Sequence, residues 1–554
     1  MKKHLPLFLG VCACLLIAAG AYLWTSRLMD SVYAYRSLLH DAPPAPGEPL
    51  GAPLTRRVVF VLIDALREDT SLKPAVMPFL NELRGRGASA TIHSRPPSYS
   101  QPGYSTLLTG AWPDLSDGPT INLDYAEIPT WTQDDLVSAV QRAGRKAAVA
   151  GYYWFERLIP QAAVAASFYT PGEDAAADRT VVDAALPWLK ANDHLFTLIH
   201  IDQVDYAGHH EGGPADPRWD AAARRADDLL AEIAASLDLS KDTLFVASDH
   251  GQIDRGGHGG QDPITLVEPW VLAGAGVEPG SYGDVAQVDV APTLAALLGV
   301  NIPAATQGRT RIEMLNLTPE QTAAIERAAT VQQAALAQNY AQAIGRPVTV
   351  QPGGDAITAT QAAMVSARAA RLRTERLPRI LLALVLAVAP AVLLFLRRGR
   401  TVAWLLAGAV LALALFHLRY AVLAGRTYSL SSVTSSDDLI AFVAVTGLLT
   451  FVVGWVVTAF PLRTFQAGPG RAASLTVALA LVTVYILSLP ILWSYALNGL
   501  FVTWALPEFG SLFLGLISGV QALAVAAAGL ILCGVAALIA WPISRRAPQR
   551  TEQS

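Results

Sequence analysis

Thr243-Leu244-Phe245-Val246-Ala247-Ser248-Asp249-His250-Gly251, with Gly257-His258-Gly259-Gly260 just beyond it, is the stretch that decides how this chain is read. Thr243 to Ala247 is a short apolar run bounded by polar and turn-forming residues, which predicts a buried parallel strand. The run ends in Ser-Asp-His-Gly, so a carboxylate and an imidazole stand where the strand stops. Open α/β sheets place their chemistry at the carboxyl ends of strands. Past His250 a second imidazole, His258, lies in a glycine-rich loop, and glycine permits tight turns and close backbone approach. Asp and His supply O and N ligands suited to zinc or a similar divalent metal.

The sequence on either side repeats the pattern. Val58 to Ile63 predicts a strand ending at Asp64, and Leu195 to Ile201 another ending near Asp202 and Asp205. Asp134 to Ala143, Ala221 to Leu237 and Val288 to Leu298 predict helices, with further strands at Lys146 to Ala150 and Pro269 to Leu272. Alternating strands and helices predict an α/β fold, a mainly parallel sheet with helices on both faces.

Other element ends offer groups that match. Asp64 is either a helix cap or a metal ligand. Pro97 to Gly110 carries the hydroxyls of Ser98, Ser100, Ser105 and Thr106 at the start of a predicted helix. Such a hydroxyl caps the helix, or it is a nucleophile whose pKa a metal lowers while backbone N–H groups bind the anion it attacks. In Asp205-Tyr206-Ala207-Gly208-His209 the spacing lets both end residues reach one ion from a single helical turn. His194, His200 and His210 read as core, surface or supporting residues.

Taken in order, Asp64, a serine ahead of Thr109-Gly110, Asp-x-x-x-His, Ser-Asp-His-Gly and His-Gly-Gly resemble the alkaline phosphatase superfamily, over roughly residues 57–308. The resemblance implies an alkaline-phosphatase-like fold and two zinc ions, or manganese in their place. It assigns one ion to Asp205, His209 and His258. It assigns the other to Asp64, Asp249 and His250, with Ser100 beside it as the nucleophile; counting back from Thr109-Gly110 selects Ser100. Pro102, Tyr104 and Leu107 to Gly110 are similar to the nucleophile loop of the type I phosphodiesterase/nucleotide pyrophosphatases. Gln141 to Lys146, Gly151 to Trp154, Leu158 to Pro160, Val204 to His209 and Gln287 to Leu294 are similar to the phosphoethanolamine transferases of glycosylphosphatidylinositol (GPI) anchor synthesis. Those transferases carry acidic residues after the glycine, where this chain has Tyr152 and Tyr153. With Trp154, these are candidate substrate contacts, stacking on a ring or holding a quaternary amine by cation–π attraction, or else they pack in the core.

The implied reaction is attack by Ser100 on a phosphodiester, a covalent phospho-serine ester, then release to water or an acceptor alcohol. The expected substrate is a phosphodiester, phospholipid or lipid-linked molecule. A sulfatase is disfavoured because C/S-x-P-x-R is absent at the nucleophile. The competing reading is a catalytically inactive ectodomain carried by a membrane transporter or scaffold, which would bind well below two metal ions per chain.

Composition sets the compartment. The chain has 554 residues, is 52% hydrophobic and carries a net charge of −4; its mean hydropathy is +0.36, too apolar for a wholly soluble protein. No basic-aromatic patch suggests a nucleic acid polymer as partner. Cys12, Cys14 and Cys533 all lie in apolar segments, so disulfides do not hold the polar region together. Leu5 to Trp24 reads as an anchor, because Tyr22 and Trp24 suit an interface and Arg27 and Asp30 stand where a cleavage site would need small residues. Two lysines precede it and place the N-terminus in the cytoplasm. Further apolar segments lie at about 380–396, 402–418, 439–460, 473–493 and 511–541.

The expected organisation is a cytoplasmic start and anchor (1–26), a Pro-rich linker (27–54), the catalytic domain (55–318), a helical connector (319–378), a multi-span transmembrane domain (379–543) and a cytoplasmic tail (544–554). This describes a multi-pass plasma membrane protein in contact with membrane lipids, with an extracytoplasmic catalytic domain and both termini cytoplasmic. Arg368, Arg371, Arg373, Arg376 and Arg379 then fall outside, against the positive-inside rule, on lipid headgroups or on a solvated helix face.

Overall fold

A computed structural model of the chain describes residues 5–350, 355–433 and 435–546. The opening lysines and most of the expected C-terminal tail lie outside the described residues.

Eight strands form one sheet. They are β1 (Val58–Ile63), β2 (Ala88–His93), β3 (Ala147–Tyr152), β4 (Ala166–Thr170), β5 (Phe196–Ile201), β6 (Thr243–Ala247), β7 (Val267–Gly274) and β8 (Gly280–Ala286). Their spatial order is β4-β3-β5-β1-β6-β7-β2-β8. The pairings from β4 to β6 are parallel, as is β2 with β8, whereas β7 runs antiparallel to both β6 and β2.

The central strand explains the layering. Every residue of Val-Val-Phe-Val-Leu-Ile in β1 is buried. Side chains alternate across a strand. Val58, Phe60 and Leu62 accordingly join a core with Leu107, Leu136 and Leu294, from helices Ser100–Thr109, Leu136–Arg142 and Val290–Leu298. Val59, Val61 and Ile63 join the opposite core, with Leu80, Val182 and Trp219 from helices Pro78–Arg86, Ala175–Ala191 and Pro217–Ala235. Both faces are therefore covered, which is why the strand reads as an unbroken apolar run.

Register then gathers the polar residues. Ile63 pairs with Ile201 and Leu62 with Ala247. Three neighbouring strands, β5, β1 and β6, thus stop at one edge of the sheet. Asp64 and Asp202 follow β1 and β5 directly, and Asp249 follows β6 after Ser248.

Among the described residues, six helices are long and apolar enough to cross a membrane: Leu7–Tyr33, Ala356–Leu396, Arg400–Leu423, Ser436–Ala459, Pro469–Asn498 and Phe509–Ile543. The first runs through seven residues of the stretch expected to be linker, because Leu28 and Val32 find buried apolar partners there. The second runs unbroken across residue 378, so the connector and the first C-terminal span are one 41-residue helix with Pro378 and Pro390 inside it.

Specific contacts lock the two halves of the chain together. Arg36 binds Asp117 through two hydrogen bonds, at 3.0 and 2.5 Å. Trp24 Nε1–H donates to the Gly499 carbonyl at 3.1 Å. Three of the arginines expected at the headgroups make contacts within the protein. Arg371 pairs with Glu375 at 3.0 Å and covers the Trp504 ring, Arg379 faces the same Glu375, and Arg376 donates to the Leu497 carbonyl.

Candidate active site

Each candidate residue leaves the sheet edge on its own short element. Asp64 follows β1; Asp249 and His250 follow β6. Asp205 and His209 occupy consecutive turns of helix Gln203–His210, which begins two residues after β5. Ser100 opens helix Ser100–Thr109, whose cap position is Tyr99 with no side-chain cap bond. The serine is thus free of the capping role, and its Oγ lies 3.1 Å from His250 Nε2. The helix comes this close because Gly103 has no side chain: a Cβ there would stand 2.8 Å from Asp249 Cβ.

Two overlapping groups of possible ligand atoms result. Asp64, Asp249 and His250 form one, and Asp205, His250 and His258 the other, with atoms in each lying within 4.8 Å of one another. His209 joins the second group, with Nε2 2.9 Å from His258 Nε2 and 3.4 Å from Asp205 Oδ2. His250 stacks on His258 at a ring separation of 4.0 Å and so stands between the two groups.

Divalent cations fit this donor set. Asp64 Oδ2 accepts from the Tyr104 hydroxyl and from His200, yet Asp64 Oδ1 is buried with no partner. Asp249 Oδ1 accepts from the Ala65 N–H at 3.2 Å, yet Asp249 Oδ2 is likewise orphaned. An unpaired buried carboxylate oxygen is costly unless a cation answers it. The imidazoles agree. His258 Nδ1–H donates to the Ser98 carbonyl at 3.0 Å and His250 Nδ1–H to the Gly251 carbonyl at 3.1 Å. Each Nε2 is then left as a bare lone pair facing inward, as a metal ligand requires.

Electrostatics point the same way. Burial and the neighbouring Asp64 hold the Asp249 carboxyl well above its usual range. Burial opposes ionisation of Asp205 as well, but His209, His258 and His250 outweigh it and keep that carboxyl low. Burial, then His250, depresses His258 well below the ordinary imidazole value, which preserves its lone pair.

Gln252 and Asn122 were not singled out in the sequence, and His200 takes the supporting role that was one of its readings. His200, Asp64 and Asp202 form a third buried cluster. Tyr152 N–H donates to His200 Nδ1 at 3.4 Å, so His200 Nε2 carries the proton and donates to Asp64 at 2.9 Å. In that tautomer His200 orients Asp64 and offers no lone pair to a metal. Tyr104, kept protonated by burial, does the same from the other side. Gln252 donates to Asp205 Oδ1 at 2.6 Å while its own carbonyl receives the Gly257 N–H. Asn122 Nδ2 reaches Ser100 Oγ at 3.5 Å.

The aromatic trio lies beside this centre. Tyr152 is buried, and its hydroxyl donates to Glu173 at 2.5 Å. Its ring meets Tyr153 and Trp154 edge-on, while Tyr153 stacks on Tyr125 at 4.5 Å.

The loop bearing His258 is held from the membrane side. Gly260 N–H donates to Ser431 Oγ at 3.0 Å, Gln261 N–H to Ser429 Oγ at 3.2 Å, and Arg255 to the Ala424 carbonyl at 2.9 Å. A side chain at residue 260 would overlap Ser429 Oγ, at 1.7 Å, so glycine is what admits the contact.

Residues 58–264 match the family described as type I phosphodiesterase / nucleotide pyrophosphatase. The chain is 30% identical over 290 residues to the human GPI ethanolamine phosphate transferase 2 catalytic subunit, an alignment covering 47% of this chain and 29% of that protein. It is 27% identical over 357 residues to the human GPI ethanolamine phosphate transferase 3 catalytic subunit, covering 57% and 32%. The chain thus spans about a third of the length of these curated relatives. Among solved structures, the human ectonucleotide pyrophosphatase/phosphodiesterase 5 aligns at 14% identity with a TM-score of 0.38, covering 44% of this chain and 95% of that one.

Proposed function

We propose that the protein is a membrane-bound enzyme of the alkaline phosphatase superfamily that cleaves phosphodiesters through Ser100, a reading supported by the match of residues 58–264 to the type I phosphodiesterase / nucleotide pyrophosphatase family. The observation that carries this reading is the placement of a buried hydroxyl without a capping role 3.1 Å from His250, beside two orphaned carboxylate oxygens.

Asp64, Asp249 and His250 would hold one divalent cation, and Asp205, His209 and His258 a second. Cations bound there supply acidity to a coordinated hydroxyl and neutralise charge on the phosphoryl oxygens. The chain's own groups do the rest. Ser100 Oγ forms a bond to phosphorus as the bond to the leaving alcohol breaks. Asn122, already against Ser100 Oγ, donates to the same side of the reacting group. Tyr104, His200 and Gln252 keep the carboxylates aimed inward. The phospho-serine ester is then opened by water or by an acceptor alcohol, as in a hydrolase or a phosphoethanolamine-type transferase. Tyr153, stacked on Tyr125, is the half-exposed aromatic surface next to this centre and would meet the rest of the substrate.

The topology that fits this reading has both termini cytoplasmic. Six crossings return the chain to the side on which it began, and the catalytic domain lies between the first and the second. With the basic N-terminus and the arginines after each cytoplasmic span end retained inside, the catalytic domain faces outward at the plasma membrane.

The test is cleavage of bis-p-nitrophenyl phosphate by the full-length protein in detergent with added zinc, beside Ser100→Ala. We expect turnover in the wild type, its loss in the variant to below about a hundredth, and about two metal ions per chain in both. Metal-free wild-type protein with no turnover would remove the enzyme reading.

A further inference from the structure

Where the catalytic domain meets the turn after the third spanning helix, positive charge collects without a counter-ion. Arg419, at the end of that helix, and Arg426, in the turn, both face the Phe442 ring, with guanidinium carbons 5.3 and 4.6 Å from its centroid. Arg255 reaches the same turn from the catalytic domain and donates to the Ala424 carbonyl at 2.9 Å. Arg426 also donates to the Ser432 carbonyl at 3.3 Å. Among the described residues, none of these three guanidiniums pairs with a carboxylate.

Two other arginine pairs in this chain share a carboxylate each. Arg56 and Arg57 share Asp242, at 2.7 and 2.9 Å, and Arg371 and Arg379 share Glu375, at 3.0 and 3.7 Å. Like charges gathered in partly buried surroundings repel. The Arg255 guanidinium is accordingly held below its ordinary value, by burial and then by Arg426. An anion from outside the chain relieves that repulsion. The neighbouring residues say which anion. Leu418, Val422 and Leu423 lead into the turn and are 46%, 69% and 74% exposed. They meet lipid hydrocarbon and leave the arginines at headgroup height. Guanidinium groups match phosphate oxygens in geometry as well as charge.

We propose that Arg255, Arg419 and Arg426 bind the phosphate of an anionic phospholipid of the surrounding leaflet, and that this lipid is an effector that steadies the His258 loop, not a substrate. The path from lipid to loop is short. The turn that carries Arg426 is the one whose Ser429 and Ser431 accept the N–H groups of Gln261 and Gly260. A headgroup that removes the repulsion keeps the turn closed on Arg255, and the turn in its place holds residues 259–261. A zwitterionic lipid offers a phosphate whose charge its own amine offsets, so a net negative headgroup fits the three arginines better. The effect on turnover rests on His258 as part of the reaction centre; the binding of the lipid does not.

The test uses the full-length protein in nanodiscs of phosphatidylcholine alone and of phosphatidylcholine mixed with phosphatidylglycerol. Amide exchange is read at residues 424–432 and 259–261. Turnover is read with bis-p-nitrophenyl phosphate, a soluble substrate that keeps the lipid out of the reaction. It is compared as kcat, because a negative surface repels an anionic substrate and raises KM. Phosphatidylglycerol is expected to slow exchange in both segments about tenfold and to raise kcat about threefold or more. Arg419→Gln with Arg426→Gln should abolish the difference between the two membranes. Arg419→Lys with Arg426→Lys should keep most of it, since the charge remains.

Equal exchange in the two membranes would overturn the proposal. So would a response that persists in the glutamine variant, which would mean a general effect of surface charge. Slower exchange at 424–432 with none at 259–261 would leave a bound lipid that is no effector. If soluble glycerol 3-phosphate slows exchange in phosphatidylcholine discs as much as phosphatidylglycerol does, the site takes a free phosphate ester and the lipid assignment falls. No turnover in either membrane would remove the phosphodiesterase reading and leave the exchange pattern to decide the lipid site alone.

Discussion

Most of what the site needs is stated by single residues at strand ends. Asp64, Asp249 and His250 could be singled out from the sequence because they lie within three residues of the end of an apolar run, and Asp205 and His209 because their spacing fits one helical turn. Tyr104, Asn122, Gln252 and His200 could not be assigned roles that way. Their partners lie 40, 22, 47 and 136 residues away, and only register brings them together. Tyr104→Phe tests the value of such support. It removes the hydroxyl that donates to Asp64 and leaves the ring packed on Phe155 at 4.5 Å. Groups that orient ligands from outside typically matter about 10–100-fold. Tyr104→Phe should weaken metal binding by that factor in competition with a chelator, with Tm changed little. Unaltered metal affinity would mean that His200 alone fixes the carboxylate.

Among elements, the strongly apolar ones were the legible ones. β1 and β6 fall where their runs predict, and β3, β5 and β7 within two residues of it. β2, β4 and β8 gave no such signal. Ala-Ser-Ala-Thr-Ile-His, Ala-Ser-Phe-Tyr-Thr and Gly-Ser-Tyr-Gly-Asp-Val-Ala lie at or next to the sheet edges, where burial is partial and polar residues are tolerated. The segment between the third and fourth spanning helices was equally silent. Its serines read as an ordinary loop, yet Ser429 and Ser431 accept the N–H groups of Gln261 and Gly260. Each such bond contributes about 0.5–1.5 kcal/mol. Replacing both serines by alanine should raise local opening of the His258 loop by on the order of tenfold or more, read as faster amide exchange at residues 259–261, with reduced kcat and an unchanged exchange profile in β1. Unchanged exchange at those residues would show that the glycine loop holds itself.

For the whole molecule, one apolar core runs from the sheet into the spans. Phe245 and Leu298 of the catalytic domain belong to the same buried cluster as Leu28, Phe416 and Phe513 of the membrane helices. Composition alone separated a polar middle from apolar ends and gave no hint of this continuity, because it depends on which faces meet. A catalytic domain cut free of its spans, residues 35–345, should therefore expose apolar surface, aggregate on expression, and lack most of the activity of the full chain. A soluble, fully active fragment would contradict a shared core. Orientation is checked in intact cells: a membrane-impermeant maleimide should label Ser240→Cys, at an exposed turn, while tags at either terminus become reactive only after permeabilisation. Tags that report opposite sides would break the count of six crossings.

The helix Ala356–Leu396 has one more consequence. Forty-one residues of α-helix measure about 60 Å, roughly twice the hydrocarbon thickness of a bilayer of about 30 Å. Its N-terminal half is fastened to helix Pro319–Ile344, through Gln361 to Gln333 and Arg371 to the Ile344 carbonyl. Its apolar C-terminal half is largely exposed. A helix shared in this way, with Pro378 and Pro390 inside it, ties the catalytic domain to the lipid: a thicker or thinner bilayer would be met by tilt, and tilt of this helix would be passed to the domain that carries Ser100.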